Sequence, residues 1–322
     1  MLVTGATGQL GAAVVRLGEQ RGLRLRCLVR DRGRAAALAA AGVELVDGDV
    51  TEPSSLARAV AGVDAVIHSA GLVSYRPQDR AALQAVNVEG TASLLRAARA
   101  AGVRRFVFSS SIAAIGRAPG TALGDEGCAW DWGGLGFAYF DTKHAAHAQV
   151  LAAEGIEAVA LCPGVMLGGG DVHENGLRVV RRVLRGGGWF APSGQITAAN
   201  VDDVAEAHLA ALTRGEPGRA YILGGFAGPW RALFARIAAV TGGGPPRVTA
   251  PQPAMWLIGA VMELLAARSG AEPAMSRAQS AVVSANRAYS SAAATAALGY
   301  APQPIEQGVA QCLAWARQTG RL

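Results

Sequence analysis

The stretch that decides the fold is Leu2-Val-Thr-Gly-Ala-Thr-Gly-Gln-Leu-Gly11, close to the start of the chain. Its first three residues predict a short buried strand, and an amphipathic helical pattern follows Gly11. Gly5 permits a tight turn, Gly8 lets a phosphate approach the backbone, and Gly11 lets the helix pack close to the strand. Because these glycines lie between a strand and a helix N-terminus, the stretch predicts a dinucleotide-binding turn.

Short strand-like runs alternate with alanine- and arginine-rich helical stretches through residues 1–162. Strands joined by helices form right-handed crossovers, so this alternation predicts a doubly wound α/β fold with helices on both faces of a parallel sheet. The strands are predicted at Leu2–Thr4, Leu25–Val29, Val43–Val46, Ala65–His68, Phe106–Ser109 and Ala158–Cys162.

The alternation stops at Pro163, where glycine clusters and helices follow without regular strands between them. An exception is a predicted helix at Val201–Leu212 with a predicted strand at Ala220–Leu223, which are expected to rejoin the sheet. We therefore predict a dinucleotide-binding domain of residues 1–162 that is rejoined by about residues 201–225.

The remaining residues, 163–200 and 226–322, are predicted to form a smaller, mostly helical substrate-binding lobe. Large aromatic side chains in this lobe more often belong to a core than to a binding site. They are nevertheless the candidate apolar walls for a substrate: Trp189, Phe190, Trp230 and Trp256.

The composition excludes general disorder and a nucleic-acid-binding arm. Of the 322 residues 51% are hydrophobic and 17% are charged, which is typical of a compact globular protein. Basic residues outnumber acidic residues by 30 to 24 without a run of like charges, so no nucleic-acid partner is expected. The apolar stretch Ala254–Ala267 contains Glu263 and is shorter than the ~20 residues that span a bilayer, which favours a packed helix over a membrane-surface contact.

The cysteines predict reduced thiols in a cytoplasmic protein. They show neither CxxC spacing nor the spacing of a metal site, so no metal is predicted. No charged-then-apolar segment occurs at the start of the sequence, so export by a signal peptide is not expected. The cysteines are Cys27, Cys128, Cys162 and Cys312.

Two candidate catalytic residues, Tyr139 and Lys143, lie four positions apart in a helix predicted from about Phe137 to Ala153. This spacing places both side chains on one face of the helix. A nearby ammonium can lower the pKa of a phenol from about 10 and make it a proton donor or acceptor near neutral pH. Lys143 is the only lysine in a chain with 29 arginines, which indicates that this position requires an ammonium group.

Six motifs occur along the chain in the order TGATGQLG (4–11), GDV (48–50), NVEGT (87–91), the serine triplet (109–111), YFDTK (139–143) and LCPGVMLG (161–168). With these motifs the chain resembles the extended short-chain dehydrogenase/reductases of the NAD-dependent epimerase/dehydratase family, nearest to their dihydroflavonol-reductase-like branch. Two positions depart from the family pattern. His147 stands where that helix often carries glutamate, and Gly168-Gly169-Gly170 replaces GPG.

The resemblance implies a catalytic set of Ser111, Tyr139 and Lys143, with Asn87 supporting the site. Ser111 is selected because it precedes Gly116 at the offset of the family's catalytic serine or threonine; otherwise all three serines only satisfy the loop backbone. The residues implied to contact the cofactor are Gly5, Thr7, Gly8, Gln9, Leu10, Gly11, Arg30, Asp49, Val50, Ser69, Ala70, Gly71, Tyr139, Lys143, Pro163 and Val165.

Arg30 follows directly after the second predicted strand, where an enzyme selective for NAD usually offers a carboxylate to the ribose. A guanidinium group instead suits the additional phosphate of NADP, because its paired donors match phosphate oxygens. NADP is therefore the predicted cofactor and NAD the alternative. An exposed surface arginine is the simpler interpretation of the same residue.

The predicted reaction is NADP-dependent reduction of a ketone or an aldehyde to an alcohol. Tyr139 would exchange the proton with the substrate oxygen, Ser111 would hydrogen-bond that oxygen, and Lys143 would hold the nicotinamide ribose. The expected partner is a small carbonyl or alcohol substrate, and the chain acts either as a monomer or as a homodimer.

Two other functions are considered. A nucleotide-sugar epimerase or dehydratase with tightly bound NAD would use the same catalytic residues and would need a cationic grip on a diphosphate. A protein that senses NADP without turnover should have lost Tyr139 or Lys143, and both are present. The candidate diphosphate grip is an arginine stripe on one predicted helix face: Arg178, Arg181, Arg182 and Arg185.

Overall fold

The computed structural model describes residues 1–186, 190–269 and 275–322. The strands are β1 (Leu2–Thr4), β2 (Arg26–Val29), β3 (Glu44–Asp47), β4 (Ala65–His68), β5 (Arg105–Ser109), β6 (Glu157–Pro163), β7 (Val165–Leu167), β8 (Phe190–Pro192), β9 (Gln195–Asn200), β10 (Ala220–Leu223), β11 (Phe226–Pro229), β12 (Val248–Ala250) and β13 (Asn286–Arg287). The α-helices are α1 (Gln9–Gln20), α2 (Ala36–Ala40), α3 (Pro53–Val60), α4 (Arg80–Leu83), α5 (Gly90–Ala100), α6 (Ala138–Leu151), α7 (Asn175–Leu184), α8 (Val201–Ala210), α9 (Trp230–Thr241), α10 (Gln252–Ser269), α11 (Arg277–Ser284), α12 (Ala292–Leu298) and α13 (Ile305–Gln318). Short 3-10 turns occur at Pro77–Asp79 and Ile112–Ala114, and a π-helix joins α4 to α5 at Gln84–Glu89.

The main sheet has the strand order β3-β2-β1-β4-β5-β6-β10, and every neighbouring pair is parallel. The chain reverses its direction of strand addition between β1 and β4, which makes this the point where α/β folds of this kind bind ligands. The predicted doubly wound fold is confirmed. All six predicted strands are present, and each end lies within one residue of its predicted position.

Two apolar cores cover the two faces of this sheet. Val3 of β1 points into a core with Val14 of α1 and Val204 of α8. The adjacent Leu2 points into the opposite core with Leu56 of α3. Successive residues of a strand face opposite sides, so a short apolar run can anchor helices above and below the sheet.

The C-terminal lobe, residues 163–200 and 226–322, is mainly helical but contains small sheets. β9 pairs with β7, β11 and β13, and β8 pairs with β12, so the expectation of helices without regular strands is wrong. These strands have two to six residues and pair with distant segments, which leaves no local periodicity to detect. Between the two parts of the lobe, α8 packs on α1 and β10 lies beside β6 in the main sheet.

Helix α10 contains the stretch Ala254–Ala267 and packs on one side only. Met255 and Gly259 are buried on this helix, which packs against α11. The expectation of a packed helix is therefore wrong for its other side, because tertiary packing covers only part of an all-round apolar surface. Among the described helices, none combines the length and apolar character that crossing a bilayer requires. The large exposed residues of α10 are Trp256, Leu257, Val261, Met262, Leu264 and Leu265.

Because the strands of the main sheet are parallel, their carboxyl ends lie along one edge. The segments that begin at this edge include the turn at Gly5, the exposed Arg30, the loop at Ser69, the serine triplet after Phe108 and the end of β6 at Pro163. The fold therefore gathers segments that are distant in sequence on the edge where open α/β sheets bind ligands.

Candidate active site

The turn after β1 is shaped by close backbone contacts that require glycine. Gly5 has a φ of 72°, and the N–H of Gly8 donates to the carbonyl of Gly5 at 2.9 Å. A Cβ atom on Gly5 would lie 2.6 Å from the nitrogen of Ala70, and one on Gly11 would collide with the carbonyl of Gly5. Helix α1 begins at Gln9 without a side-chain cap, so the N–H groups of its first turn face this loop. The turn therefore fits a pyrophosphate at the helix N-terminus.

The other residues of this turn divide between core and loop. The side chains of Leu10 and Val50 are buried in the two cores, so only their backbone can face a cofactor. Thr7 is half-buried in the turn. The Gln9 side chain donates to the carbonyl of Gly168 at 3.3 Å and so ties the turn to the C-terminal lobe.

The loop after β4 is fixed to β1 by hydrogen bonds. The Ser69 hydroxyl donates to the carbonyl of Thr4 at 2.7 Å, and the N–H of Ala70 donates to the Thr4 hydroxyl at 3.2 Å. Gly71 follows in an exposed position. Across the edge, Pro163 is buried at the end of β6 and Val165 is half-buried at the start of β7.

Asn87 lies in the π-helix Gln84–Glu89 and is 2% exposed. Its amide accepts from the N–H of Leu72 at 2.8 Å and donates to the carbonyl of Leu72 at 3.0 Å. The same amide nitrogen lies 3.3 Å from the Thr142 hydroxyl on α6. Asn87 therefore holds the loop after β4 against the helix that carries Tyr139, which is a positioning role.

Arg30 and Arg32 both lie at the end of β2 but are held differently. Arg32 makes a close ion pair with Asp47, with Nε 2.7 Å from Oδ1. The guanidinium of Arg30 is 3.5 Å from the Asp49 carboxylate, and 70% of its side chain is exposed. The carboxylate of Asp49 already accepts two hydrogen bonds from Thr51. Arg30 is therefore the arginine that can turn toward a ligand phosphate at this edge.

The three serines after β5 have separate partners. The Ser109 hydroxyl is 2.8 Å from His208 Nε2, and the Ser110 hydroxyl is 2.9 Å from His147 Nδ1, both in buried positions. Ser111 is half-buried and accepts a hydrogen bond from the backbone N–H two residues later. Of the three hydroxyls, that of Ser111 is the one near enough to the phenol of the catalytic candidate on α6 to lower its pKa.

Tyr139 is buried near the start of α6, with 9% of its surface exposed. Burial, followed by the nearby Tyr75, raises the pKa of Tyr139 to about 12, while the Ser111 hydroxyl and the charge of Arg287 oppose the shift. The expectation that Lys143 lowers the pKa of this phenol toward neutrality is wrong. Desolvation of the phenolate dominates, and the lysine ammonium is directed elsewhere.

Lys143 is 6% exposed and lies next to the serine triplet that follows β5. Its ammonium donates to the carbonyl of Ser109 at 2.8 Å and lies 4.7 Å from the ring centre of Phe108. Burial lowers the pKa of Lys143 from 10.5 to about 8, so the ammonium form prevails at pH 7.

A neutral histidine lies behind this lysine. His147 Nδ1 contacts the hydroxyl of Ser110 at 2.9 Å and the thiol of Cys162 at 3.8 Å. Burial lowers the pKa of His147 to about 4, so the ring is uncharged near neutral pH. The helix position that often carries a glutamate in the family therefore adds no countercharge to Lys143 here.

The predicted aromatic walls do not surround the phenol. Trp230 is buried and packs against Phe234 at a centroid distance of 5.7 Å. Phe190 lies in β8, Trp256 lies on the exposed side of α10, and Trp189 lies outside the described residues. Trp230 therefore belongs to the core, and a substrate-lining role for Phe190 and Trp256 stays a prediction.

Two residues that the sequence reasoning did not select lie close to the phenol. Tyr75, on the loop after β4, has its ring centre 5.8 Å from those of both Tyr139 and Phe137. Arg287, at the end of β13, lies over the ring of Phe140, the residue after Tyr139. Neither belongs to a local motif, and Arg287 is one of 29 arginines, so only tertiary contacts reveal them.

The arginine stripe of α7 does not form one free basic face. Arg181 pairs with Glu174 at 2.9 Å. Arg182 donates to a backbone carbonyl and lies over two aromatic rings. Only Arg178 and Arg185 are exposed among the four. The grip expected for a nucleotide-sugar diphosphate is therefore absent from this helix as the described residues place it.

Comparison with known proteins agrees with the fold and the turn. Residues 1–224 match the NAD dependent epimerase/dehydratase family. A 2-alkyl-3-oxoalkanoate reductase of Stenotrophomonas maltophilia is 32% identical over 96% of this chain and 97% of its own length. A putative dihydroflavonol 4-reductase of Synechocystis sp. is 30% identical over 99% of this chain and 94% of its own. The solved structure of a nucleoside-diphosphate-sugar epimerase from Pseudomonas aeruginosa has the same fold, with a TM-score of 0.80 and 24% identity over 100% of this chain and 98% of that one.

The family match covers the glycine turn, the serine triplet and the Tyr139–Lys143 helix, and it extends through β10. The relatives named as reductases align along almost the entire chain. The protein therefore belongs to the NAD-dependent epimerase/dehydratase family and is an NAD(P)-dependent oxidoreductase of the extended short-chain dehydrogenase/reductase type.

Proposed function

We propose that the protein reduces a ketone or an aldehyde to an alcohol with NADPH. The observation that carries this proposal is the meeting of Ser111 and Tyr139 at the carboxyl edge of the sheet, with the Lys143 ammonium one turn further along α6. Nicotinamide supplies the hydride when it is bound. The chain must then supply a proton and hold the substrate oxygen, and these residues can do both.

Tyr139 gives its proton to the carbonyl oxygen, and the Ser111 hydroxyl donates a hydrogen bond to the same oxygen. A phenol whose pKa burial raises to about 12 stays protonated near neutral pH, so it is in the form that can donate a proton. Lys143, with its pKa lowered by burial to about 8, keeps enough charge at pH 7 to hold the ribose hydroxyls of the nucleotide. Asn87 supports this arrangement from behind.

The preference for NADP rests on Arg30. Its side chain is largely exposed and only loosely paired with Asp49, so it can bind an additional phosphate without breaking a close ion pair. Arg32 is paired closely with Asp47 and offers a matched control.

The similar reductases support a carbonyl substrate, because one of them is named for acting on 2-alkyl-3-oxoalkanoates and the other is named a dihydroflavonol reductase. We propose that residues 163–200 and 226–322 bind the substrate and that residues 1–162, rejoined by about 201–225, bind the nucleotide. The epimerase alternative is less favoured, since Arg181 of the expected diphosphate grip is paired with Glu174.

A cofactor titration tests the proposal. We expect NADPH to bind more tightly than NADH. Arg30→Ala should raise the dissociation constant of NADPH by about 10- to 100-fold and have little effect on that of NADH. Arg32→Ala should leave both dissociation constants near those of the wild type. Equal affinity for the two nucleotides, or an equal loss in both variants, would contradict the NADP assignment.

Activity then decides between the two reactions. We expect ketones and aldehydes to consume NADPH, and we expect UDP- and dTDP-sugars neither to turn over nor to raise the melting temperature. Clear thermal stabilisation by a nucleotide-sugar would favour the epimerase reaction instead.

A further inference from the structure

Arg287 is a buried cation without an acidic partner among the described residues. It lies at the end of β13, opposite Ile196 of β9, and 8% of its surface is exposed. The Nε atom of its guanidinium has no hydrogen-bond partner in the described part of the chain. A buried charge in this situation is costly unless something else pairs with it.

Another buried arginine in the same protein shows what a satisfied position looks like. Arg105 is 4% exposed, and its guanidinium donates to the carbonyls of Ala211 at 2.7 Å and Gly215 at 3.0 Å. Glu157 adds a carboxylate at 3.9 Å. Arg105 therefore has a structural explanation in the contacts of its own chain, which Arg287 does not have.

Aromatic rings hold Arg287 in place. Its guanidinium carbon lies 5.3 Å from the ring centre of Phe140 and 5.9 Å from that of Trp132. Contacts with ring faces stabilise a cation but leave its in-plane N–H donors unused. The rings therefore orient the guanidinium without supplying a hydrogen-bond partner for its Nε atom.

The position of Arg287 links it to the catalytic residues. Phe140 follows Tyr139 on α6, and the two rings lie 6.0 Å apart. Desolvation raises the pKa of the buried Tyr139, and the positive charge of Arg287 opposes that shift. A ligand group paired with Arg287 would thus lie on the Phe140 side of helix α6, one residue along the helix from the phenol that serves the carbonyl oxygen.

We propose that Arg287 binds a carboxylate of the substrate, so that the preferred substrates are oxo acids and not neutral ketones. This inference rests on the proposed carbonyl reduction. The carboxylate takes no part in bond changes: one hydride and one proton add across the C=O bond to give a hydroxy acid.

A carboxylate suits this position better than a larger anion. A single guanidinium offers two parallel donors that match two carboxylate oxygens, and it balances one negative charge. The rings of Phe140 and Trp132 lie against the guanidinium, and Tyr75 lies beside the phenol of Tyr139, which favours an apolar remainder of the molecule. The substrate class is therefore an oxo acid that carries an alkyl or aromatic group.

Paired substrates test this inference. Medium-chain oxo acids that differ in the position of the ketone are each compared with their methyl esters, which keep the ketone and lose the charge. In the wild type we expect kcat/KM for the best acid to exceed that of its ester by about 100-fold. In Arg287→Met we expect kcat/KM to fall by about 100-fold for the acid and to change by less than about threefold for the ester. Arg287→Lys should keep part of the preference, because the charge remains without the fork.

Arg117→Met is the matched control, because Arg117 also lies over the Trp132 ring, at 5.4 Å, but is paired with Asp131 at 2.6 Å. This variant should keep the preference for the acid. Arg287→Met should melt at or above the wild-type temperature, since it removes an unpaired buried charge. Equal use of acid and ester by the wild type, or an equal loss of both in Arg287→Met, would overturn the inference.

A binding measurement separates this inference from the proposed reaction. With the NADPH-bound protein, calorimetry should show that decanoate binds at least about tenfold more tightly than decanamide, and that Arg287→Met removes the difference. If no carbonyl compound consumes NADPH but this difference is found, the proposed reaction fails and the carboxylate site stands. If decanoate and decanamide bind alike, the carboxylate site fails whatever the reaction.

Discussion

Buried polar groups have hydrogen-bond partners on one side of helix α6, whereas a buried arginine on the other side has no acidic partner among the described residues. On the side of the main sheet, Lys143 donates to the carbonyl of Ser109, and Ser110 contacts His147. On the side of the C-terminal lobe, Arg287 is buried without an acidic partner in the described chain. Polar groups that satisfy each other build a rigid support, whereas a buried group left unpaired indicates where a ligand supplies the missing partner.

The largest effect is expected from breaking the support at Lys143. Lys143→Arg keeps the charge, but a planar guanidinium cannot occupy the buried ammonium position beside the Ser109 carbonyl with the same geometry. Turnover should fall by about 10³-fold in Lys143→Arg, and it should fall by at least as much in Tyr139→Phe. The double variant should lose little more than either single variant, because the two residues act as a unit. Near-normal turnover of Lys143→Arg, with an unchanged circular dichroism spectrum, would contradict the catalytic assignment.

The adjacent Ser110 and Ser111 should behave differently, because the Ser111 hydroxyl serves the reaction and the Ser110 hydroxyl supports His147. Ser111→Ala should lower kcat by about 10²-fold with little change in melting temperature, since it removes a donor to the developing oxyanion. Ser110→Ala should leave kcat nearly unchanged. It should lower the free energy of unfolding by about 1–2 kcal/mol, because His147 loses its hydroxyl partner in a buried site. Steady-state kinetics and thermal melting distinguish the two variants. The reverse pattern would show that Ser110 is the catalytic hydroxyl.

A smaller effect is expected from pH. Burial lowers the pKa of Lys143 from 10.5 to about 8, and the ammonium exists below that pKa. The value of kcat/KM should therefore fall by up to about tenfold per pH unit above pH 8. The contribution of Lys143 to the free energy of unfolding has the opposite trend. Between pH 8 and 10.5 this residue binds more protons in the unfolded chain than in the folded protein, so its contribution to the free energy of unfolding rises with pH. A kcat/KM profile that stays flat to pH 10 would rule out a required ammonium of this pKa.

Much of the nucleotide side could be predicted because its signals are local. The glycine turn at residues 5–11, the strands of the main sheet and the four-residue spacing of Tyr139 and Lys143 each lie within one short segment. The choice of Ser111 stays a prediction for the variants above to test. Burial reversed one expectation, since the direction of the pKa shift of Tyr139 depends on desolvation by residues far away in sequence.

The lobe side could be predicted only in outline. β13 has two residues and pairs with β9, which lies about ninety residues earlier. A strand this short has no hydrophobic periodicity from which it could be predicted. Arg287 becomes distinctive only because it is buried over the rings of Phe140 and Trp132. The exposed side of α10 likewise depends on which face α11 covers. Each of these features is set by tertiary contacts and has no pattern in the sequence.

Isotope labelling tests directly whether a hydride passes from the nucleotide to the substrate. NADPH that carries deuterium at both C4 positions is incubated with the protein and the panel of oxo acids, and the products are analysed by mass spectrometry. The wild type should form a hydroxy acid with one deuterium at the former carbonyl carbon, and Tyr139→Phe should form this product at least about 10³-fold more slowly. A product without deuterium, or equal labelling by Tyr139→Phe, would contradict hydride transfer at this site.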